Sequence, residues 1–198
     1  MQTEFSDSFI KIRRYDVADI PLLYEAARES VVEGSKWLPW LHSDYSMAES
    51  LEWVLDCCKQ WDQNREYNFV IVSRRDDRFL GGVGINQINL THRIGNLGYW
   101  VRSTCTNRGI ATAAARLAAQ FGFKELQLCR LEILVAVDNL ASQRVAEKAG
   151  AQREGILRNR LFIHGRSIDA TVFSLIPPTK IPLEALQDEG TGSQSHNI

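Results

Sequence analysis

The chain has 198 residues, a formal net charge of -1, 44% hydrophobic residues and 24% charged ones. Such a composition excludes a mainly disordered chain, a collagenous one and a disulfide scaffold, and the length suits one domain with an adequate core. The near-neutral total argues against a generic nucleic-acid binder, yet it sums opposed blocks: residues 1–77 carry 9 basic and 15 acidic side chains, residues 78–124 carry 6 basic and none acidic. An acid-free block suits an anionic ligand and an acidic block a cationic one.

In chain order, Phe9–Arg14 alternates apolar and polar residues as a half-buried strand. Asp16 then precedes an amphipathic run with Ile20, Leu23, Ala26 and Ala27 on one face. Trp37-Leu38-Pro39-Trp40 forms a turn-like linker, and Ser46-x-x-Glu49 is a capping box opening a helix to about Trp61. Strands follow at 67–73 and 79–89, joined by a turn at Asp76-Asp77, with a further strand at 94–102. Gly109 to Lys124 reads as an Ala-rich helix, residues 130–137 as a buried strand, and Leu140 to Ala149 as a helix closed by Gly150. Strands at 152–158 and 168–176 complete a domain over residues 1–176, and 177–198 reads as a partly disordered tail. The order predicts an α/β (α+β) single domain: a mixed, mostly antiparallel sheet of about six to seven strands flanked by four helices. The crossover between 94 and 137 should make its parallel pair.

Cysteines 57, 58, 105 and 129 lack zinc-ligand spacing, so no metal is expected. The N-terminus has no signal-peptide pattern and no apolar stretch is long enough to span a bilayer. Reduced thiols in a cytoplasmic protein without membrane association are the expectation.

Three segments could carry chemistry. In Tyr99-Trp100-Val101-Arg102 followed by Thr106-Asn107-Arg108-Gly109-Ile110-Ala111-Thr112, a strand ends, a loop turns and a helix opens on glycine. Helix N-termini present unpaired N–H groups and partial positive charge to anions, and here no acid stands in the first turn to consume that field. A plain loop-to-helix junction is the alternative. Gly81-Gly82-Val83-Gly84 is followed by strand alternation, not by a helix, which opposes a dinucleotide fingerprint and favours bulges or close strand packing. Asp138-Asn139 through Ser142 to Lys148-Ala149-Gly150 reads locally as a helix with an N-cap and a terminal glycine.

Taken together, these segments resemble the GNAT superfamily of acyl-CoA-dependent N-acetyltransferases over residues 9–176. Arg108-Gly109-Ile110-Ala111-Thr112 is similar to the second half of that family's pyrophosphate loop, and Asn139-x-x-Ser142-x-x-Val145-x-x-Lys148-x-Gly150-Ala151 to its second CoA-contacting helix. Trp37-Leu38-Pro39-Trp40, with Gly98-Tyr99-Trp100, looks like the RimJ/RimL branch, which acetylates N-terminal amines of ribosomal proteins. The resemblance implies acetyl-CoA as co-substrate, held by Trp100, Val101, Arg102, Arg108 to Thr112, Asn139, Ser142 and Lys148. Trp37, Trp40 and Asn96 would border the acceptor. Two departures stand out beyond Thr106, which replaces the loop's usual Gln or Arg: Asn96 and Leu161 occupy positions where relatives carry a general-base Glu.

The resemblance further implies direct attack of the amine on the thioester in a ternary complex. An α-amine, with a pKa of about 7.7–8.0, is partly neutral near pH 7, unlike a lysine, so it can manage with a weak or water-linked base. Backbone N–H groups near Trp100 and Val101 would stabilise the oxyanion. Ser142 is the candidate acid for the departing thiolate, and Tyr99 would orient the amine or act as the acid. Cys105 has no His partner in its segment and reads as a spectator. Glu25, Glu29, Glu33, Asp44 and Glu49 could draw in a cationic amine. The expected partner is an amine acceptor, foremost a protein N-terminus, with a homodimer left open and no direct nucleic-acid binding. A small-amine acetyltransferase and a non-catalytic acyl-CoA-binding regulator are the alternatives.

Overall fold

The computed structural model describes residues 1–177. Its elements are β1 (Glu4–Ser6), β2 (Ile10–Arg14), α1 (Ile20–Gly34), α2 (Met47–Asp62), β3 (Tyr67–Ser73), β4 (Phe79–Asn89), β5 (Ile94–Val101), α3 (Ile110–Lys124), β6 (Arg130–Ala136), α4 (Leu140–Ala149), β7 (Gln152–Ile163) and β8 (Arg166–Leu175). The strands form one sheet in the order β1-β2-β3-β4-β5-β6-β8-β7. Every pairing is antiparallel except β5 with β6, as the crossover requires. The α/β expectation with four helices holds. The sheet has eight strands instead of six to seven, because β1 is only three residues long and shows no readable period. Its Phe5 pairs opposite Ile12 and meets Phe121 edge-on. The tail expectation lies, beyond Pro177, outside the described residues.

Local chemistry sets the element ends. Asp16 caps a 3-10 turn leading into α1, accepting from Ala18 N while Asp19 accepts from Asp16 N. Ser46 and Glu49 form the expected capping box of α2, and Gly150 closes α4 at φ 101, in the left-handed region glycine tolerates. Alternation along β3 divides the core between two faces. Phe69 and Ile71 pack with Phe121, Leu97 and Leu131 on the α3 side, whereas Val70 and Val72 pack with Leu23, Ala26 and Val54 under α1 and α2. Alanine at 114, 115 and 118, fully buried, lets α3 lie close to the sheet. Truncating Phe121, which contacts Phe5, Trp61, Tyr67 and Phe69, would cost about 3–5 kcal/mol.

The glycines of β4 are explained by close packing. A Cβ on Gly81 would lie 2.2 Å from the Trp100 backbone oxygen, one on Gly82 2.7 Å from Trp100 Nε1, and one on Gly84 2.1 Å from Asn68 Oδ1. The sheet also opens at one seam. β5 and β6 pair only at Ile94/Arg130, Gly95/Leu131 and Asn96/Glu132. Beyond these, β5 continues against β4 alone and β6 against β8 alone, leaving a wedge between them.

Candidate active site

The wedge leads into a cavity of about 810 Å³. One wall is β5 from Leu97 to Trp100, and the other runs from Ile133 to Ala136 and on to Asn139 and Ser142. Arg102 N–H donates to Leu80 O. Alternation along an antiparallel strand sends the N–H groups of Trp100 and Gly98 the same way, so those of Tyr99 and Val101 face the wedge. Tyr99 Oη donates to the Ser142 backbone oxygen at 2.9 Å and lies 3.2 Å from Ser142 Oγ. Burial pushes the phenol up to about 12, with the Ser142 hydrogen bond partly opposing the shift. Asn139 caps α4, its side chain accepting from Ser142 N at 3.1 Å, and this presents Ser142 to Tyr99.

α3 begins after Gly109, whose φ of 76 is left-handed. Nothing lies within 4 Å of where a Cβ on Gly109 would stand, and no acidic residue occupies the first turn. The opening amides at Ile110, Ala111 and Thr112 precede the helix's own hydrogen-bond ladder, with open space at Gly109 and exposed Arg108 beside them. A diphosphate fits this cradle by charge and by clearance. Lys148 is exposed in the last turn of α4, and its backbone oxygen is tied to α3 by Arg116.

Arg102 is placed differently from the expectation that it holds CoA. It is buried, with its guanidinium bound to Glu25 and Glu29 of α1 and to Phe79 O. Glu29 also accepts from Thr104 N at 3.1 Å and Thr104 Oγ1 at 2.6 Å, and Glu33 accepts from Ser103 Oγ. The Arg102 guanidinium, assisted by Thr104, holds the Glu29 carboxyl down at about 2. These glutamates therefore brace the strand-to-helix loop and are not free to attract an amine.

Trp37 and Trp40, expected to border the acceptor, line the cavity with Tyr45, Trp53, Trp100 and Phe162. Trp40 packs edge-on against Trp100 at 5.4 Å. Its polar floor is made of amides. Asn68 and Asn86 line it, whereas Asn96, expected to border the acceptor, is not among the lining residues and stands behind Asn86: its Nδ2 donates to Asn86 Oδ1 at 2.9 Å, leaving Asn96 Oδ1 buried without a partner. Leu161 lines the cavity at the second position where a carboxylate is lacking. Carboxylates do line the α2 wall, at Glu49, Glu52 and Asp56, and no Lys or Arg lines the cavity among the described residues. Glu49 is bound to His42 Nε2 at 2.7 Å. Glu52 and Asp56 escaped the sequence reading, although their spacing from Glu49 places all three along one helix face. Asn68, Asn86 and Phe162 had no sequence signal of their own.

The segments that build the wedge, the α3 loop and the Tyr99–Ser142 pair fall within the match to a recognised family. Residues 10–152 match the family described as "Acetyltransferase (GNAT) domain". The chain belongs to the GNAT acetyltransferases. It is 33% identical over 135 residues to "Probable N-acetyltransferase YjcK" of Bacillus subtilis, covering 68% of this chain and 75% of the relative. It is 29% identical over 127 residues to the spermidine N(1)-acetyltransferase of Escherichia coli, covering 64% and 66%. Among solved structures, "Structure of a putative ribosomal-protein-serine acetyltransferase from Vibrio cholerae" aligns with a TM-score of 0.78 and 27% identity over 89% of this chain and 98% of that one. As a GNAT acetyltransferase, the protein transfers an acetyl group from acetyl-CoA to an amine, which sets aside the non-catalytic alternative. No helix among the described residues is long and apolar enough to cross a membrane.

Proposed function

We propose that this GNAT enzyme acetylates the N-terminal α-amine of a protein or peptide by direct attack in a ternary complex in the cytoplasm. The observation that carries the reading is the cavity floor. The polar groups that β3, β4, β5 and α4 bring to the cavity include the amides Asn68 and Asn86 and the Tyr99–Ser142 pair, while its ionisable groups, the His42–Glu49 pair with Glu52 and Asp56, come from α2 and the segment before it. With no carboxylate of β3, β4 or β5 lining the cavity, the site suits an amine that is already partly neutral, as an α-amine is and a lysine is not.

In this reading, the amides of Ile110 to Thr112, with Arg108 and Gly109, hold the diphosphate, and Asn139, Ser142 and Lys148 border the same ligand along α4. Acetyl-CoA supplies the activated acyl group. Val101 and Tyr99 direct their N–H groups into the wedge, where an oxyanion would be stabilised. Tyr99 remains a neutral phenol throughout the working pH range and can hand its proton to a departing thiolate. The Ser142 backbone oxygen, which accepts that proton in the free enzyme, holds the phenol in place until the proton turns to the thiolate. Trp37 and Trp40 floor the acceptor channel, and Asn96 fixes the orientation of Asn86.

A second reading has its own support. Glu49, Glu52 and Asp56 form a line of carboxylates along the cavity wall, and a polyamine would present cations at comparable intervals. An acceptor panel separates the two: N-terminal peptides starting with Ser or Ala, spermidine, and single amino acids, with CoA release as readout and mass spectrometry of products. Turnover confined to the small amines would sink the peptide assignment.

A further inference from the structure

β7 forms one edge of the sheet and carries a bulge immediately before the cavity-lining residues Leu161 to Ile163. Leu157 pairs with Ala170 and Leu161 with Ile168, so Arg158, Asn159 and Arg160 stand against Asp169 alone. Asn159 is left-handed at φ 52, and its N–H donates to Asp169 Oδ1 at 2.8 Å. That bond fixes the bulge, which throws its two arginines outward. Both are exposed. Arg130 of β6, two strands away, is bound to Glu132 and to Glu154 of β7, whereas Arg158 and Arg160 have no carboxylate partner among the described residues.

The next residues, Leu161, Phe162 and Ile163, line the acceptor cavity, and Phe162 is 70% exposed at its lip. The acceptor path therefore changes sign along its length. Carboxylates of α2 line the cavity itself, and cations stand on the β7 lip. A polyamine, cationic throughout, would meet repulsion at the lip. A ligand with an ammonium head and an anionic body matches both ends. The bulge and its charges also oppose edge-to-edge pairing with a second copy of the chain.

We infer that the Arg158–Arg160 bulge docks acidic side chains lying a few residues behind the N-terminus of a polypeptide acceptor. The inference rests on the protein-acceptor reading above and deepens it. The interaction is electrostatic and near the surface, so it acts on acceptor KM and weakens with salt.

The test uses three peptides sharing their first three residues: one with Asp and Glu at positions 4–7, one with Ser and Asn there, and a tripeptide that stops short. The acidic peptide should show a KM about five- to tenfold below the neutral one, the difference shrinking in 0.5 M salt. In the double variant R158A/R160A that preference should vanish while tripeptide turnover stays unchanged, which also reports an intact fold. Equal KM values in the wild type, or a preference surviving in the variant, would overturn the inference and leave the N-terminal assignment standing. Failure to turn over any of the three peptides would instead remove the assignment beneath it. Competition by single-stranded RNA through the same arginines, without an acidic-peptide preference, would reassign the patch to nucleic acid and overturn the proposal.

Discussion

The Tyr99 hydroxyl joins β5 to the first turn of α4 across the open seam, 2.9 Å from the Ser142 backbone oxygen and 3.2 Å from its Oγ. As the proposed acid, Tyr99 should be costly to lose: Tyr99→Phe should lower kcat by about 10²-fold or more, with the acetyl-CoA KM nearly unchanged. Ser142→Ala should cost less, because the backbone oxygen still accepts from the phenol. Burial holds this phenol up at about 12, so it is protonated at every lower pH. The wild-type kcat/KM should rise as the amine deprotonates and then stay level to pH 10. A falling limb between pH 8 and 10 would exclude Tyr99 as the acid.

Gly109 separates conformational strain from ligand clearance. Its φ of 76 penalises any Cβ, yet nothing occupies the space where that Cβ would go. Gly109→Ala should cost about 1 kcal/mol and lower Tm by about 2–4 °C. Gly109→Asn should retain more stability, since Asn accepts left-handed backbone more readily. Both should weaken CoA binding about tenfold in calorimetry, because any side chain intrudes on the phosphate cradle. Unweakened binding in the Asn variant would show that only backbone shape matters there.

Glu29 makes stability depend on pH. Arg102, with help from Thr104, holds its folded-state carboxyl at about 2, below the usual 4.5. The stabilisation is therefore full above about pH 5 and is lost as pH falls through 4.5 toward 2. With the Glu29 side chain 25% exposed, its contribution is about 1–2 kcal/mol after solvent screening. Urea unfolding should show Glu29→Gln less stable than wild type at pH 7, the gap falling below about half by pH 3 and closing near pH 2. A gap independent of pH would refute the assignment.

Gly82 sets the acceptor floor at one remove. Gly82→Ala would place a methyl group 2.7 Å from Trp100 Nε1 and 2.8 Å from the Tyr15 hydroxyl, driving the indole toward Trp40. The acceptor KM should rise by roughly tenfold while the acetyl-CoA KM stays within twofold. A red-shifted tryptophan emission would report the displaced ring.

Features written in local sequence were legible. Ser46 with Glu49, Gly109 and Gly150 act through neighbours a few residues away, and each occupies its expected place. Long-range partners were not. Arg102 looked like a CoA ligand and Glu25 and Glu29 like amine attractors, until a chain separation of more than 70 residues is closed and they neutralise one another. The strand at 152–158 extends to Ile163 because a bulge interrupts its alternation after Leu157, which hides the continuation from any period-two reading. The amide floor, too, exists only once β3, β4 and β5 are side by side.

The seam between β5 and β6 also has a mechanical meaning. Three register pairs hinge the two halves of the sheet, and past that point the facing backbone edges lack a neighbouring strand. An elongated ligand bearing its own amides, as pantetheine does, can serve there as a surrogate strand. Acetyl-CoA is then structural glue as well as reagent. Saturating it should slow hydrogen exchange at Tyr99, Val101, Leu134 and Ala136 together, and residence of the spent thiol in that seam would set how fast the enzyme can turn over.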